Sequence, residues 1–155
     1  MDQASVQELD VHEGLENTLV VLRAKLEEIV INRVYNRELP RITAFGSALN
    51  EVWTILLNNA ADALAVRSNG TICLRTGRKN DYIVVEIADD GPGVPTDLQV
   101  HLFEPFFTTK HVGQGTGLGL SVAQRIVVER HHGKISVVSR PGETRFQVYL
   151  PLNPA

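Results

Sequence analysis

Four short segments of this chain concentrate the polar and glycine residues that a ligand site needs. The last segment precedes a helical pattern, and glycines there let backbone N–H groups approach an anion at a helix N-terminus, where the helix dipole is favourable. It therefore predicts a cradle for phosphate groups, with a flexible surface loop as the simpler alternative. In chain order, the segments are Asn59-Ala60-Ala61-Asp62-Ala63, Asp89-Asp90-Gly91-Pro92-Gly93, the run from Phe103 to Lys110, and Gly113-Gln114-Gly115-Thr116-Gly117-Leu118-Gly119.

The glycine-rich segment matches neither of two common phosphate-binding patterns. The GxxxxGK[ST] pattern of P-loop proteins is absent. The GxGxxG pattern also fails, because Leu118 or Leu120 falls on its last glycine position. The sequence thus disfavours two widespread nucleotide-binding folds.

The elements that must position these segments alternate between helix and strand patterns. Apolar residues spaced three and four apart predict helices, and β-prone or alternating runs predict strands. Residues 1–10 are polar and without a period, which indicates a linker. We then expect a helix over 11–26, a hairpin of strands 29–35 and 41–45, a helix that begins at Ser47 as N-cap and ends near Asn69-Gly70, strands 71–76 and 82–88, a loop over 97–118, a helix over 119–130, and a hairpin of strands 134–139 and 145–150.

Composition narrows the class of protein. The chain has 155 residues, 43% of them hydrophobic, and a net charge of -3, which indicates one globular domain without a general attraction for nucleic acid. The single Cys73 allows no internal disulfide and leaves no cysteine spacing for zinc. The sequence has no apolar run of the ~18 residues that a membrane span needs, so we expect no direct insertion into a membrane. A reducing cytoplasm fits these features.

In their order and spacing, the four segments resemble the N, G1, F and G2 boxes of the histidine-kinase branch of an ATPase superfamily. That superfamily also contains gyrase, the heat-shock 90 chaperones and MutL. Thr144-Arg145-Phe146 and Leu150-Pro151 are similar to the family's closing strand, so the resemblance covers roughly residues 11–151. It implies an α/β two-layer sandwich, with a mixed sheet of about five strands and three helices on one face. It also implies that residues 11–155 form an ATP-binding catalytic domain, linked through residues 1–10 to an upstream dimerisation helix.

The resemblance assigns the adenine end of the site to the second segment. Asp89 would accept a hydrogen bond from the adenine amino group, while Gly91 and Gly93 would let the backbone pass close to the base. Val94 is also expected at the nucleotide, and Thr144 would reach the base through water.

The phosphate end is assigned in the same way. Asn59 would bind the Mg²⁺ that bridges the phosphates, because its amide oxygen is a hard ligand, and Lys110 would contact the γ-phosphate. The phenylalanines at 103, 106 and 107 would anchor a lid that orders around the phosphates. The other residues expected at the nucleotide are Asp62, Phe107, Thr109, Gly115, Thr116, Gly117, Leu118 and Gly119.

Two positions depart from the family pattern. Ile55 stands where many histidine kinases have a second asparagine and the ATP-hydrolysing relatives have a glutamate that activates water. This residue argues against vigorous ATP hydrolysis and leaves the Mg²⁺ site with fewer ligands. Asp62 stands where some members have a lysine or arginine near the phosphates, and an acid cannot neutralise phosphate.

The implied reaction is transfer of the ATP γ-phosphoryl group to a histidine on a separate dimerisation domain, and then to an aspartate of a response regulator. His12 is followed by Glu13, as family acceptors often are, but Gly14 and Glu16 do not fit, so we expect the acceptor in an upstream segment. Two alternatives remain open. One is a Ser/Thr kinase of the anti-sigma-factor type, and the other is a nucleotide-binding interaction module without catalysis.

Overall fold

The chain folds as two layers, a sheet and a set of helices. The computed structural model describes residues 5–65, 69–107 and 119–152. In chain order the elements are β1 (Gln7–Leu9), α1 (Val11–Val21), β2 (Val30–Val34), β3 (Ile42–Ala44), α2 (Gly46–Ala63), β4 (Thr71–Lys79), β5 (Tyr82–Asp89), α3 (Thr96–Gln99), α4 (Gly119–Arg125), a π-helical continuation (Ile126–Arg130), β6 (Lys134–Arg140) and β7 (Glu143–Pro151). No helix in the described ranges is long and apolar enough to cross a membrane.

The main sheet has five strands in the order β2-β4-β5-β7-β6. The pair β2–β4 is parallel, and β4–β5, β5–β7 and β6–β7 are antiparallel. Because side chains alternate along a strand, one face of the sheet carries the buried apolar residues and packs under α1, α2 and α4. The expected two-layer sandwich with a mixed five-stranded sheet is therefore confirmed.

The other face of the sheet is polar. Glu86 on β5 lies 3.6 Å from the Arg75 guanidinium on β4 and 3.7 Å from that of Arg145 on β7. Its carboxylate also accepts a hydrogen bond from Gln147 at 2.9 Å. These cross-strand contacts satisfy a carboxylate that is only 7% exposed.

Helix α1 begins at a conventional cap. The Asp10 carboxylate accepts the backbone N–H of His12 at 2.9 Å, which satisfies a donor that the first turn leaves without a partner. Val11, Leu15 and Leu19 face the core. The helix ends at Val21, earlier than the predicted residue 26, although Leu26 is buried as its spacing indicated.

Helix α2 has the apolar stripe that its sequence predicts, but it ends at Ala63, before the predicted end near Asn69-Gly70. The prediction of Ser47 as N-cap is wrong, because the helix begins at Gly46 and Phe45 occupies the cap position without a side-chain hydrogen bond. The backbone N–H of Phe45 donates instead to Nε2 of His131 at 3.0 Å. A distant residue therefore takes the place of the local cap.

The predicted hairpin of strands 29–35 and 41–45 is also wrong. β2 pairs in parallel with β4, and β3 pairs antiparallel with β1 in a separate two-stranded sheet. β1 lies inside the segment predicted as a linker, where Gln7-Glu8-Leu9 shows no strand pattern. The choice of partner strand depends on packing between distant elements, which local sequence does not reveal.

One further difference concerns the region before the last hairpin. The predicted loop 97–118 overlaps the short helix α3, which begins at Thr96. The predicted helix over 119–130 is found, as α4 followed by the π-helical turn. The final hairpin turns at Pro141-Gly142 as expected.

Candidate nucleotide-binding site

Asp89 ends β5 at the edge of the sheet that faces the end of α2. Its side chain is 5% exposed, and Oδ1 accepts the backbone N–H of Gly91 at 2.9 Å. Burial raises the pKa of this carboxyl to about 6; the Gly91 hydrogen bond lowers it, and the charges of Asp90 and Glu143 raise it. The site therefore holds an acid that remains ionised at neutral pH in a poorly solvated position.

Asp90 fixes the loop that follows. Its Oδ1 accepts the backbone N–H of Thr71 at 2.8 Å, and its own N–H donates to the Thr71 carbonyl at 3.3 Å. The start of β4 and the loop after β5 are thereby tied together, so the carboxylate of Asp89 projects from a fixed backbone.

Gly91 and Gly93 stand where the backbone passes close to neighbouring atoms. A Cβ on Gly91 would lie 3.2 Å from the Cβ and the carbonyl oxygen of Ala63, at the end of α2. Gly93 has φ +86°, and a Cβ there would lie 2.2 Å from the carbonyl oxygen of Arg140. Glycine is needed at position 93 for conformation and for space.

Thr144 lies beside Asp89, because the two residues are partners in the β5–β7 register. Its hydroxyl is 2.8 Å from that of Ser139, and the Ser139 hydroxyl accepts the backbone N–H of Val94 at 2.8 Å. Gln99 donates to the carbonyl oxygens of Val94 at 2.8 Å and Ser139 at 3.0 Å. The structure thus links Thr144 and Val94 through Ser139 and places Asp89 beside Thr144 in the sheet.

Sequence reasoning missed Ser139 and Gln99. The signal for Ser139 was available, because the Pro141-Gly142 turn places it opposite Thr144 in the hairpin. Gln99 gave no signal, since it lies on a four-residue helix within a segment predicted as loop.

One face of α2 connects the two ends of the site. A Cβ on Gly119 would lie 3.3 Å from Cγ2 of Ile55, so the end of the glycine-rich segment meets the helix there. Ala63 meets Gly91 two turns further on. Asn59 lies midway, about 6 Å along the axis from each, because an α-helix rises ~1.5 Å per residue.

Asp62, on the same face, forms an ion pair with Lys25, a residue that the sequence does not indicate as part of the site. Nζ of Lys25 is 2.8 Å from Asp62 Oδ1, and both side chains are partly exposed. Lys25 belongs to the turns between α1 and β2. Its spacing from α2 in the sequence gives no indication of this contact.

The three phenylalanines of the third segment have different environments. Phe103 packs edge-on against Phe146 at a ring separation of 6.2 Å, and Phe107 lies 5.6 Å from the ring of His101. Phe106 is 75% exposed and has φ 69°. Thr109, Lys110, Gly115, Thr116, Gly117 and Leu118, all expected at the phosphates, lie outside the described residues.

The described side chains suit a metal ion that is held mainly by the phosphates of a bound nucleotide and only in part by the protein. Within the described ranges, no group of three or more His, Cys, Asp and Glu side chains could hold a metal ion. Asn59 is half-buried and lies on the same face of α2 as Ile55. A single hard oxygen such as that of its side-chain amide fits Mg²⁺, which commonly takes one or two protein ligands together with phosphate oxygens and water.

Comparison with known proteins gives the family. The model of the family described as histidine kinase-, DNA gyrase B- and HSP90-like ATPase matches residues 46–154. The chain belongs to this family. It is 36% identical to the sensory histidine kinase/phosphatase NtrB of Vibrio alginolyticus over 92% of this chain, and it spans 43% of that protein's length.

Solved histidine kinases have the same fold as this ATPase domain. The catalytic domain of histidine kinase ThkA matches with a TM-score of 0.86 at 30% identity, over 97% of each chain. The complex of ThkA with the response regulator protein TrrA matches with a TM-score of 0.78 at 26% identity, over 96% of this chain and 42% of that one. The expected assignment to the ATP-binding catalytic domains of sensor histidine kinases is confirmed.

In this catalytic domain His12 is a structural residue. It is 4% exposed, its Nδ1 lies 2.9 Å from Asp10 Oδ1, and its Nε2 lies 2.8 Å from the Thr76 hydroxyl. A nitrogen that accepts a phosphoryl group must be reachable and have a lone pair available. The geometry therefore agrees with the rejection of His12 as the acceptor.

Proposed function

We propose that this domain binds Mg-ATP and transfers its γ-phosphoryl group to a histidine on the dimerisation helices of a two-component sensor kinase. The observation that carries the proposal is the arrangement along α2. The buried Asp89 loop meets the helix at Ala63, Asn59 follows one turn away, and the end of the glycine-rich segment meets it at Ile55. This order matches the order of adenine, metal-bound phosphates and lid in a bound nucleotide.

At the adenine end, Asp89 accepts a hydrogen bond from the exocyclic amino group. The rigid backbone of Gly91 and Gly93 passes the base, with Val94 against it. The Thr144 hydroxyl reaches the same base through water, and Ser139 orients that hydroxyl. A buried carboxylate discriminates strongly here, because a base that lacks the donor would not compensate for the water that the carboxylate has lost.

At the phosphate end, Asn59 would hold the metal ion, and that ion would offset the phosphate charge and supply electrophilic assistance. Lys110 and the backbone from Gly115 to Gly119 bind the phosphate oxygens, with Thr109 and Thr116 as further donors. Phosphoryl transfer depends mainly on positioning and charge stabilisation, so this set needs no covalent participation by the protein. Ile55 cannot activate water, which favours transfer over hydrolysis.

The chain spans less than half of its relative NtrB, so the acceptor and the rest of the pathway are also proposed. We assign the acceptor histidine to dimerisation helices upstream of this domain, and the final acceptor to an aspartate of a response regulator. We also place the domain in the cytoplasm, where ATP and response regulators are available.

Calorimetric titration of the purified chain with ATP, with and without Mg²⁺, tests the binding step. We expect saturable 1:1 binding that Mg²⁺ strengthens and that Asp89→Asn abolishes. Absence of binding by the folded chain would exclude the proposed nucleotide site.

The transfer step needs an acceptor supplied as a separate polypeptide. Radiolabelled ATP is incubated with the domain and with dimerisation helices of the NtrB type. An acid-labile, base-stable phosphate on those helices is expected, as phosphohistidine gives. An acid-stable phosphate would favour a Ser/Thr kinase, and binding without transfer to any such acceptor would favour a silent interaction module.

A further inference from the structure

Lys25 lies in a place that its sequence context does not explain. The residue belongs to the turns after α1, yet its ammonium lies 2.8 Å from Oδ1 of Asp62 on α2. Asp62 is one turn beyond Asn59 and adjacent to Ala63, which contacts the Asp89 loop at Gly91. The cation therefore lies on the α2 face that connects the two ends of the candidate site.

The contribution of this pair to folding is small. The two side chains are 43% and 30% exposed, and ion pairs in such positions add little to stability because water screens them and the side chains lose freedom. Lysine also has a flexible four-carbon stem that can redirect its ammonium towards a second anion nearby. A ligand provides a better explanation for the cation than the fold does.

The charges on this face of α2 also favour a contact between Lys25 and a ligand. Asp62 places a carboxylate where a nucleotide would bring several negative charges, and that contact would be repulsive if the acid faced the phosphates without a cation. Lys25 supplies that cation from a neighbouring segment. The pair can hold the ammonium in position before the ligand arrives, which lowers the entropy that binding must overcome.

We propose that Lys25 is a nucleotide-binding residue whose ammonium contacts the α- or β-phosphate oxygens, with Asp62 as its positioning residue. The proposal rests on the proposed function. The choice of phosphate follows from the geometry, since Asp62 neighbours the adenine end at Ala63, whereas the glycine-rich segment meets α2 two turns earlier at Ile55. Lys110, which we propose for the γ-phosphate, would then act on a different phosphate.

The test compares three ligands on matched variants. For Lys25→Gln, the Kd of ATP and of ADP should rise roughly tenfold, the loss expected for one charge-assisted hydrogen bond, while adenosine binding is unchanged. Lys25→Arg should retain most of the affinity. Lys79→Gln is the control, because it makes the same charge change far from the site. Lys79 pairs with Tyr82 at one end of the β4–β5 ladder, whereas Asp89 lies at the other end.

A direct contact must be distinguished from neutralisation of the acid. In the double variant Lys25→Gln/Asp62→Asn, the repulsion is removed but the phosphate contact is not restored, so ATP and ADP should remain weakly bound. Recovery of wild-type affinity in the double variant would overturn the proposal. Unchanged ATP binding by Lys25→Gln, or equal weakening of adenosine, would overturn it as well.

Failure of the underlying function gives a different result. If wild-type protein bound neither adenosine nor ATP, the nucleotide site itself would be wrong. If wild-type protein bound all three ligands and Lys25→Gln did not selectively weaken ATP and ADP, only the proposed role of Lys25 would be rejected. Thermal denaturation of each variant verifies that the folded state is intact.

Discussion

Asp89 Oδ1 accepts the backbone N–H of Gly91 at 2.9 Å, and this bond holds a nearly dehydrated carboxylate at the end of β5. One local hydrogen bond does not compensate for the loss of water, and burial keeps the pKa of the acid at about 6. The residue proposed to recognise the base is therefore expected to destabilise the protein in the absence of a ligand.

The first prediction is that Asp89→Asn stabilises the free protein while it abolishes nucleotide binding. Between the unfolded pKa near ~3.9 and the folded value of about 6, the folded state binds more protons, so wild-type stability falls as pH rises through this window. Asparagine removes this cost and can still accept the Gly91 bond. We expect a gain of about 1 to 3 kcal/mol at pH 7.5, measured by urea unfolding. The gain should shrink as the pH approaches 4, and a loss of stability at pH 7.5 would contradict the argument.

The second prediction concerns the pH dependence of base binding. If the ionised carboxylate is the acceptor, protonation of Asp89 competes with the ligand, and adenosine should bind about tenfold more weakly at pH 5 than at pH 7. Adenosine is used because its own groups do not titrate in this range. Equal affinity at the two pH values would show that ionisation of Asp89 is not required.

The third prediction uses two glycines that have the same backbone conformation. Gly93 has φ +86° and Gly142 has φ +89°, but only Gly93 has a neighbour within 4 Å of the added Cβ. Gly142→Ala should cost about 1 kcal/mol, the strain of a left-handed alanine. Gly93→Ala should cost more than about 3 kcal/mol, because the methyl group would collide with the Arg140 carbonyl and move the loop. Equal unfolding free energies for the two variants would show that the close approach relaxes without cost.

The fourth prediction concerns His131, which is buried where α2 begins. Its Nε2 accepts from Phe45 N–H, so Nδ1 carries the proton that is donated to the Ile126 carbonyl at 3.0 Å. Burial lowers the pKa of this imidazole, the Ile126 bond raises it, and the charges of Arg130 and His132 lower it. A lowered folded pKa means that stability is complete above ~6.5 and is lost as pH falls below that value.

His131→Gln should therefore destabilise the protein at pH 7.5 by about 1 to 3 kcal/mol, because one of the two hydrogen bonds is lost. The variant should also lose less unfolding free energy than the wild type between pH 7.5 and pH 5.5, because it has no imidazole to protonate. Unfolding free energies of variant and wild type at pH 7.5 and 5.5 give the comparison, since the contribution of Asp89 is common to both. An unchanged difference between the two pH values would show that the imidazole does not titrate in this range.

The sequence predicted the parts of this protein that depend on local pattern. The apolar stripe of α2, the alternation along β5 and β7, and the loop motif at Asp89 are local, and each is found where expected. The predicted pairing of β2 with β3 was wrong. Strands of five and three residues fit several partners, and long-range packing selects among them. The contact between Lys25 and Asp62 was missed for the same reason, since the two residues lie 37 positions apart in the sequence.

The last prediction uses Ile55, which lies on the site face of α2 and contacts the start of α4 at Gly119. Ile55→Glu places a carboxylate where the ATP-hydrolysing relatives carry their water-activating residue, so slow ATP hydrolysis should rise at least about tenfold, the lower end of general-base effects. Ile55→Gln is the matched control, because it has the same size and hydrogen-bonding reach but cannot accept a proton from water. Phosphate release is measured at saturating Mg-ATP, and calorimetry verifies that both variants still bind the nucleotide. Retained binding without faster hydrolysis would mean that the side chain at position 55 packs against α4 and does not face the phosphates.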